Sequence, residues 1–281
     1  MISTSRQLKA LVRNMSGSDS AKAQIIIRAY AMERFLERLS MTKFRDSFVI
    51  KGGVLLSSMV GLEHRATMDI DATVKEFTLT VQSARNAIEE IFSVQVEDGM
   101  SFEIKDVSPI LEETDYGGVR LSVEAHLESM RTPMKIDIST GDIITPSEVM
   151  HTFGLMFEDR SISLLAYNIE TVLAEKLETI ISRSVANTRM RDFYDIYILQ
   201  KQKPGEFKIG ILAQALKNTS KARGSWETVL NWAGRLDDIA ESTVMRELWE
   251  AYRQKFEFAQ VCSWGDVLDS INSLFSKIIM Q

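Results

Sequence analysis

A chain of 281 residues with 45% hydrophobic and 26% charged side chains has the composition of a globular protein, long enough for one large domain or two modest ones. Its formal net charge of −6 at pH 7 excludes a protein that is basic throughout and coats nucleic acid by charge alone, so a polyanionic substrate must meet a local basic patch. The single cysteine, Cys262, excludes an internal disulfide, and the histidines His64, His126 and His151 show no metal-binding spacing, which argues against a zinc enzyme.

Met1 to Arg6 lead into a polar segment rather than the apolar core of a signal peptide. No apolar run reaches the roughly 18 residues of a membrane span, so the expectation is a cytoplasmic protein. Ser18 or Asp19 can cap a helix over about 21–40, in which Ile25, Ile26, Ala29, Met32, Phe35 and Leu36 recur at helical spacing. The run S-F-V-I-K (47–51), ending on Lys51, has strand character; Gly52-Gly53 breaks it, and 54–60 reads as a short apolar helix. After Glu63-His64-Arg65, the segment M-D-I-D-A-T-V (68–74) alternates with period two and predicts a second strand. A helix over 80–92 and strands over 101–104, 119–126 and 134–138 follow. Beyond about residue 165 the pattern turns helical, over 168–184, 191–200, 206–217, 225–235, 240–258 and 265–279. Four prolines and no internal repeat leave the boundary to be inferred from pattern. The expected fold is α/β (α+β): an N-terminal domain over 1–165 with a mixed sheet flanked by helices, then an all-helical domain over 166–281.

Residues two apart on a strand share a face, so D-I-D presents Asp69 and Asp71 together while Ile70 turns to the core. Two such carboxylates repel unless a cation or proton lies between them. K-I-D-I places Asp137 between two core-facing isoleucines, and a strand beside that of Asp69 would bring three hard oxygen donors together, a set that suits Mg²⁺. Taken alone, D-x-D is more often a solvated acidic face of a half-exposed strand than a metal site. Gly52-Gly53 offers bare N–H groups and a helix N-terminus to a triphosphate, although glycine pairs also make ordinary turns. Strand, Gly-Gly, helix and D-x-D strand, in that order within about 25 residues, is a far more specific signal.

This order resembles the nucleotidyltransferase superfamily of the DNA polymerase beta type, whose first motif is a Gly-Gly or Gly-Ser turn opening a helix, followed by a D-x-D strand, with a third carboxylate on a later strand. More narrowly, V-I-K-G-G-V-L-L (49–56) with H-R-A-T-M-D-I-D (64–71) is similar to the first motif of the AbiEii toxin family, which includes the MenT toxins of mycobacteria. M-K-I-D-I-S-T-G-D (134–142), L-A-E-K-L-E-T (173–179) and R-M-R-D-F-Y-D-I-Y (189–197) resemble its second, third and fourth motifs. The resemblance implies a toxin of a bacterial toxin-antitoxin or phage-abortive-infection pair, with a separately encoded winged-helix antitoxin. It also implies an NTP substrate and a Mg²⁺ (or Mn²⁺) cofactor, with the 3′ end of tRNA as acceptor in some members.

Carried over by motif position, Gly53 sits at the phosphate-binding turn with Lys51 and Gly52, Asp69 and Asp71 bind metal, and Asp137 is a metal ligand or the base. Lys176 and Asp192 are catalytic, and Arg65, Thr67, Lys176 and Arg191 join the nucleotide-binding set. The family commonly has Thr or Ser where Val54 stands, Ser where Thr67 stands, and Lys-Asp where Arg191-Asp192 stands. Val54 has no hydroxyl to offer a phosphate, which leaves that task to backbone N–H groups.

In the helical half, Leu173, Leu177 and Ile180 form an inward stripe with Lys176 near its edge, as an ordinary lysine or as a charge for a triphosphate. No carboxylate three or four residues away on its own helix accounts for it. Arg183, Arg189 and Arg191 make either a local patch for nucleotide or RNA phosphate, or a solvated face or ion-pair partners for Asp192 and Asp195. Phe193, Tyr194, Tyr197 and the tryptophans 226, 232, 249 and 264 read as core rather than as base-stacking residues. The leading expectation is NMP transfer from an NTP to RNA, at a tRNA acceptor end. The alternatives are transfer to a protein or small molecule, or a nucleotide-binding interaction module without activity.

Overall fold

The structure is a computed structural model that describes residues 1–110 and 117–280. The chain divides into two compact units, the first formed by Met1–Ser58, Ala66–Asp142 and Val149–Ala166, the second by Met59–Arg65, Ile143–Glu148 and Tyr167–Gln281. The α+β class expected from the sequence is the class observed. No helix among the described residues is long and apolar enough to cross a membrane.

The first unit begins with α1 (Ser5–Ser16), set by a capping box between Thr4 and Gln7, and α2 (Ser20–Ser40), capped by Asp19. There follow β1 (Phe48–Lys51), α3 (Gly52–Val60), β2 (Asp69–Val74), α4 (Val81–Ser93), β3 (Met100–Ile110), β4 (Gly118–Leu127), β5 (Met130–Thr140), β6 (Val149–Gly154) and β7 (Ser161–Ala166). Among the described residues these strands form one seven-stranded sheet in the order β3-β4-β5-β2-β1-β7-β6. The β2–β5 and β1–β7 pairs are parallel and the others antiparallel. Alternation, unbroken in β4, separates the faces of its central strands: Ile70, Ala72, Leu121, Val123, Ile136 and Ile138 are buried on one, where α2 packs on β5 and α4 on β3. The other face carries the polar partners of the same strands.

The second half of α2 is buried all round, charges included. Arg38 forks onto both oxygens of Asp98 at 2.7 and 2.8 Å and donates also to the Met100 carbonyl. Arg34 is ringed by Glu33, Glu37 and Glu158. Buried charges of this kind persist only when paired and hydrogen-bonded. Burial pushes the Glu33 carboxyl up to about 7 in spite of its hydrogen bond from the Met156 N–H and its pairing with Arg34.

Among the described residues the second unit is helical: α5 (Ile169–Arg183), α6 (Met190–Gln202), α7 (Ile209–Ala222), α8 (Trp226–Leu230), α9 (Trp232–Glu241), α10 (Thr243–Lys255) and α11 (Trp264–Ile279). Leu173, Leu177 and Ile180 of α5 are fully buried, as the stripe predicts, and so are Phe193, Tyr194 and Trp249. Trp232 stacks on Phe275, ring centroids 4.8 Å apart. The sequence reading is corrected in four places. The polar N-terminus forms α1, the edge strand β6 and its inner neighbour β7 were not predicted, β3 and β5 run longer than 101–104 and 134–138, and the helix expected over 225–235 breaks at Asn231 into α8 and α9.

Candidate active site

The polar face of the sheet carries a row of charges built by register. Asp71 on β2 stands directly opposite Asp137 on the parallel strand β5. Lys51 on β1 is opposite Asp71, and Arg120 on β4 is opposite Asp137. Residues in register on paired strands share a face, so four neighbouring strands present Lys51, Asp71, Asp137 and Arg120 in line, two carboxylates flanked by two cations. Asp69, two residues before Asp71, adds a third carboxylate to that face. Strand spacing sets about 5 Å between the Asp71 and Asp137 backbones, and the strand rise sets about 7 Å between those of Asp69 and Asp71.

Both ends of the row are tied down. The Arg120 guanidinium donates to both oxygens of Asp137, at 2.8 Å through Nε and 2.5 Å through Nη2. This hydrogen bonding to Asp137, working against burial and helped by the charges of Asp69 and Asp71, holds Arg120 above its ordinary pKa. At the other end the Lys51 ammonium donates to Asp142 Oδ2, an oxygen that also accepts from Ser139 Oγ at 2.9 Å. Thr67, buried just before β2, donates its hydroxyl to the Asp69 carbonyl at 3.2 Å and fixes the backbone there.

Gly52 and Gly53 form the first turn of α3 rather than a loop ahead of it. Gly52 has φ +64°, a left-handed value, and a Cβ built on it would lie 2.7 Å from Asp71 Cγ. Only a glycine lets the start of the helix sit against that carboxylate. The free N–H groups of this turn carry the positive end of α3 and suit an anion. Three hard oxygen donors on adjacent strands beside a glycine turn are the type of set that suits a divalent ion with a triphosphate, although both oxygens of Asp137 are here taken by Arg120.

A different donor set lies farther along the same sheet. Glu103, Glu124 and His126 place one ligand atom each within 4.8 Å of the others. The Lys105 ammonium already pairs with Glu103 at 2.7 Å and Glu124 at 3.4 Å, so one of the two negative charges of this group is offset by a side chain of the chain itself.

Lys176, Asp192, Arg65 and Arg191 belong to the second unit. Lys176 Nζ lies 2.9 Å from Asp192 Oδ1 and 2.6 Å from Asp195 Oδ2, so the partner absent from its own helix comes from α6. Arg65, buried, donates through Nε to Asp195 Oδ1 at 2.6 Å. Burial pushes Asp195 up, but Arg65 and Lys176 outweigh it and hold the carboxylate below its usual range. Burial pulls Lys176 down, and Asp192 and Asp195 together raise it above its ordinary value. Arg189 pairs with Asp192 at 3.3 Å, while Arg191 is exposed.

The sequence of residues 34–270 matches the family model described as nucleotidyl transferase AbiEii toxin, type IV toxin-antitoxin system. The chain belongs to the AbiEii toxin family. It is a nucleotidyltransferase of toxin-antitoxin type, and membership implies an NTP substrate, a divalent metal and an antitoxin partner. Among solved structures it is similar to JHP933 from Helicobacter pylori, at 18% identity over 92% of this chain and 94% of that one, with a TM-score of 0.50. It is similar also to an H. pylori protein provisionally described as a nucleotidyltransferase, at 19% identity over 92% and 97%, TM-score 0.50. These likenesses concern the fold. No curated protein sequence is a significant match.

Sequence reasoning missed Arg120, Asp142 and the role of Asp195 as the shared acceptor of this AbiEii chain. Asp142 lies in the quoted S-T-G-D and Asp195 one helical turn beyond Asp192, so both carried a signal. Arg120 carried none beyond its place on an alternating strand.

Proposed function

We propose that this AbiEii-family chain transfers NMP from an NTP to RNA, at the 3′ acceptor end of tRNA, with Mg²⁺ (or Mn²⁺) held by Asp69, Asp71 and Asp137. The observation that carries the reading is the register of Asp71 against Asp137 beside the Gly52 turn. Lys51 and the N–H groups of Gly52 and Gly53 take the phosphates, and Thr67 steadies the Asp69 strand. The terminal hydroxyl of the RNA attacks the α-phosphorus; a new O–P bond forms as the bond to pyrophosphate breaks, and the hydroxyl proton leaves to Asp137 or to solvent. A divalent ion at the carboxylates would supply Lewis acidity and offset the charge of the departing pyrophosphate.

Lys176 and Asp192 stand at the family's third and fourth motif positions, and we assign them a catalytic part on that ground, with Arg65 and Arg191 in the nucleotide-binding set. The transferase domain is read as 1–165 and the helical domain as 166–281, working in the cytoplasm, with a winged-helix protein as the partner antitoxin. Full-length protein incubated with α-labelled NTPs, Mg²⁺, total tRNA and cell protein tests the acceptor. Label on tRNA supports the reading, label on protein alone replaces RNA by a protein acceptor, and no label on either contradicts transfer. In cells, Asp69→Ala is expected to abolish growth inhibition at unchanged expression.

A further inference from the structure

Arg120 lies on β4, outside all four motif segments, yet it grips the third carboxylate of the row through both oxygens. Its side chain is 44% exposed and that of Asp137 20% exposed, so the guanidinium can turn on its stem without opening a packed core. A cation that uses Asp137 must compete with the guanidinium for the same two oxygens. The planar fork that matches a carboxylate matches a phosphate equally well, so an Arg120 displaced from Asp137 keeps a use for both donors. Register keeps its backbone one strand away, about 5 Å from that of Asp137, on the face that carries Asp69 and Asp71.

We propose that Arg120 is a further substrate-binding residue: it holds Asp137 until a divalent ion takes that carboxylate, then passes its guanidinium to the triphosphate. The handover rests on the reading of the carboxylate row given above. It makes cation and nucleotide binding mutually supportive, because the ion frees the arginine and the nucleotide occupies it.

Calorimetric titration of Mn²⁺ into the full chain, then of each NTP at saturating Mn²⁺, tests it with wild type, Arg120→Gln, Arg120→Lys and Asp69→Asn. Arg120→Gln is expected to bind Mn²⁺ about threefold more tightly, since a partly exposed competing ion pair is gone. The same variant is expected to bind the preferred NTP about tenfold more weakly, having lost a charge-assisted phosphate contact, and Arg120→Lys recovers part of that loss. An arginine that merely props up Asp137 would give the opposite sign for Mn²⁺. Unchanged or weaker Mn²⁺ binding in Arg120→Gln, or unchanged NTP binding, overturns the handover; the row itself then still stands if Asp69→Asn loses Mn²⁺. Asp69→Asn that binds Mn²⁺ as wild type does overturns the row and the handover together.

Discussion

At Gly52 the backbone takes a φ of +64° where β1 gives way to α3, and the space a side chain would fill is occupied by the Asp71 carboxylate. Gly52→Ala therefore meets two separate obstacles. The left-handed conformation alone costs an L-residue about 1–2 kcal/mol, which urea unfolding should register. The added methyl must also displace Asp71, so transfer should fall by much more than the loss of stability explains. A variant with wild-type activity would show that the position of Asp71 against the turn is immaterial.

Between α5 and α6 the unit of function is a cluster rather than a residue. Asp195 is fully buried and serves Arg65 and Lys176 at once, while Asp192, in the first turn of α6, shares Lys176 and takes Arg189. Asp195→Asn leaves two buried cations facing one remaining carboxylate, a loss of about 3–5 kcal/mol by analogy with other broken buried pairs. Because Asp195 is held below the usual aspartate range, its stabilisation is complete above that range and is lost as the pH falls through the depressed value. Denaturation of the wild type should thus steepen in acid, and Asp195→Asn should flatten that limb. An equally stable Asp195→Asn protein would mean that the cluster is replaceable. Lys176→Met deserves the same check, since a loss of activity there counts as chemistry only if the helices remain folded.

Over the whole molecule, what could be read from the sequence is what local alternation dictates. D-I-D and K-I-D-I put their aspartates opposite core isoleucines, and the buried Ile70, Ile136 and Ile138 follow that pattern. The Lys176 stripe and the helical second half follow from the same periodicity. What joins Asp71 to Asp137 is strand register between segments far apart in the chain, which no local pattern encodes, whereas Arg120 meets Asp137 across the β4–β5 hairpin, whose register its short turn sets. The polar helix α1 was legible after all, through the Thr4–Gln7 capping box, but its many charges mask its apolar stripe of Leu8 and Val12. Asn231, a residue type poor in helix interiors and favoured at their ends, is the boundary at which the helix expected over 225–235 divides into two short ones.

The central claim is that the carboxylates of the row act together in nucleotidyl transfer. Its most direct test is single-turnover transfer from an α-labelled NTP in Mg²⁺ by wild type, Asp71→Asn and Asp137→Asn, each shown by thermal melting to be folded. Both variants should lose more than about a hundredfold in rate, beyond what the loss of an outer-shell partner costs. Transfer at the wild-type rate by either one would place the chemistry somewhere other than this face of the sheet.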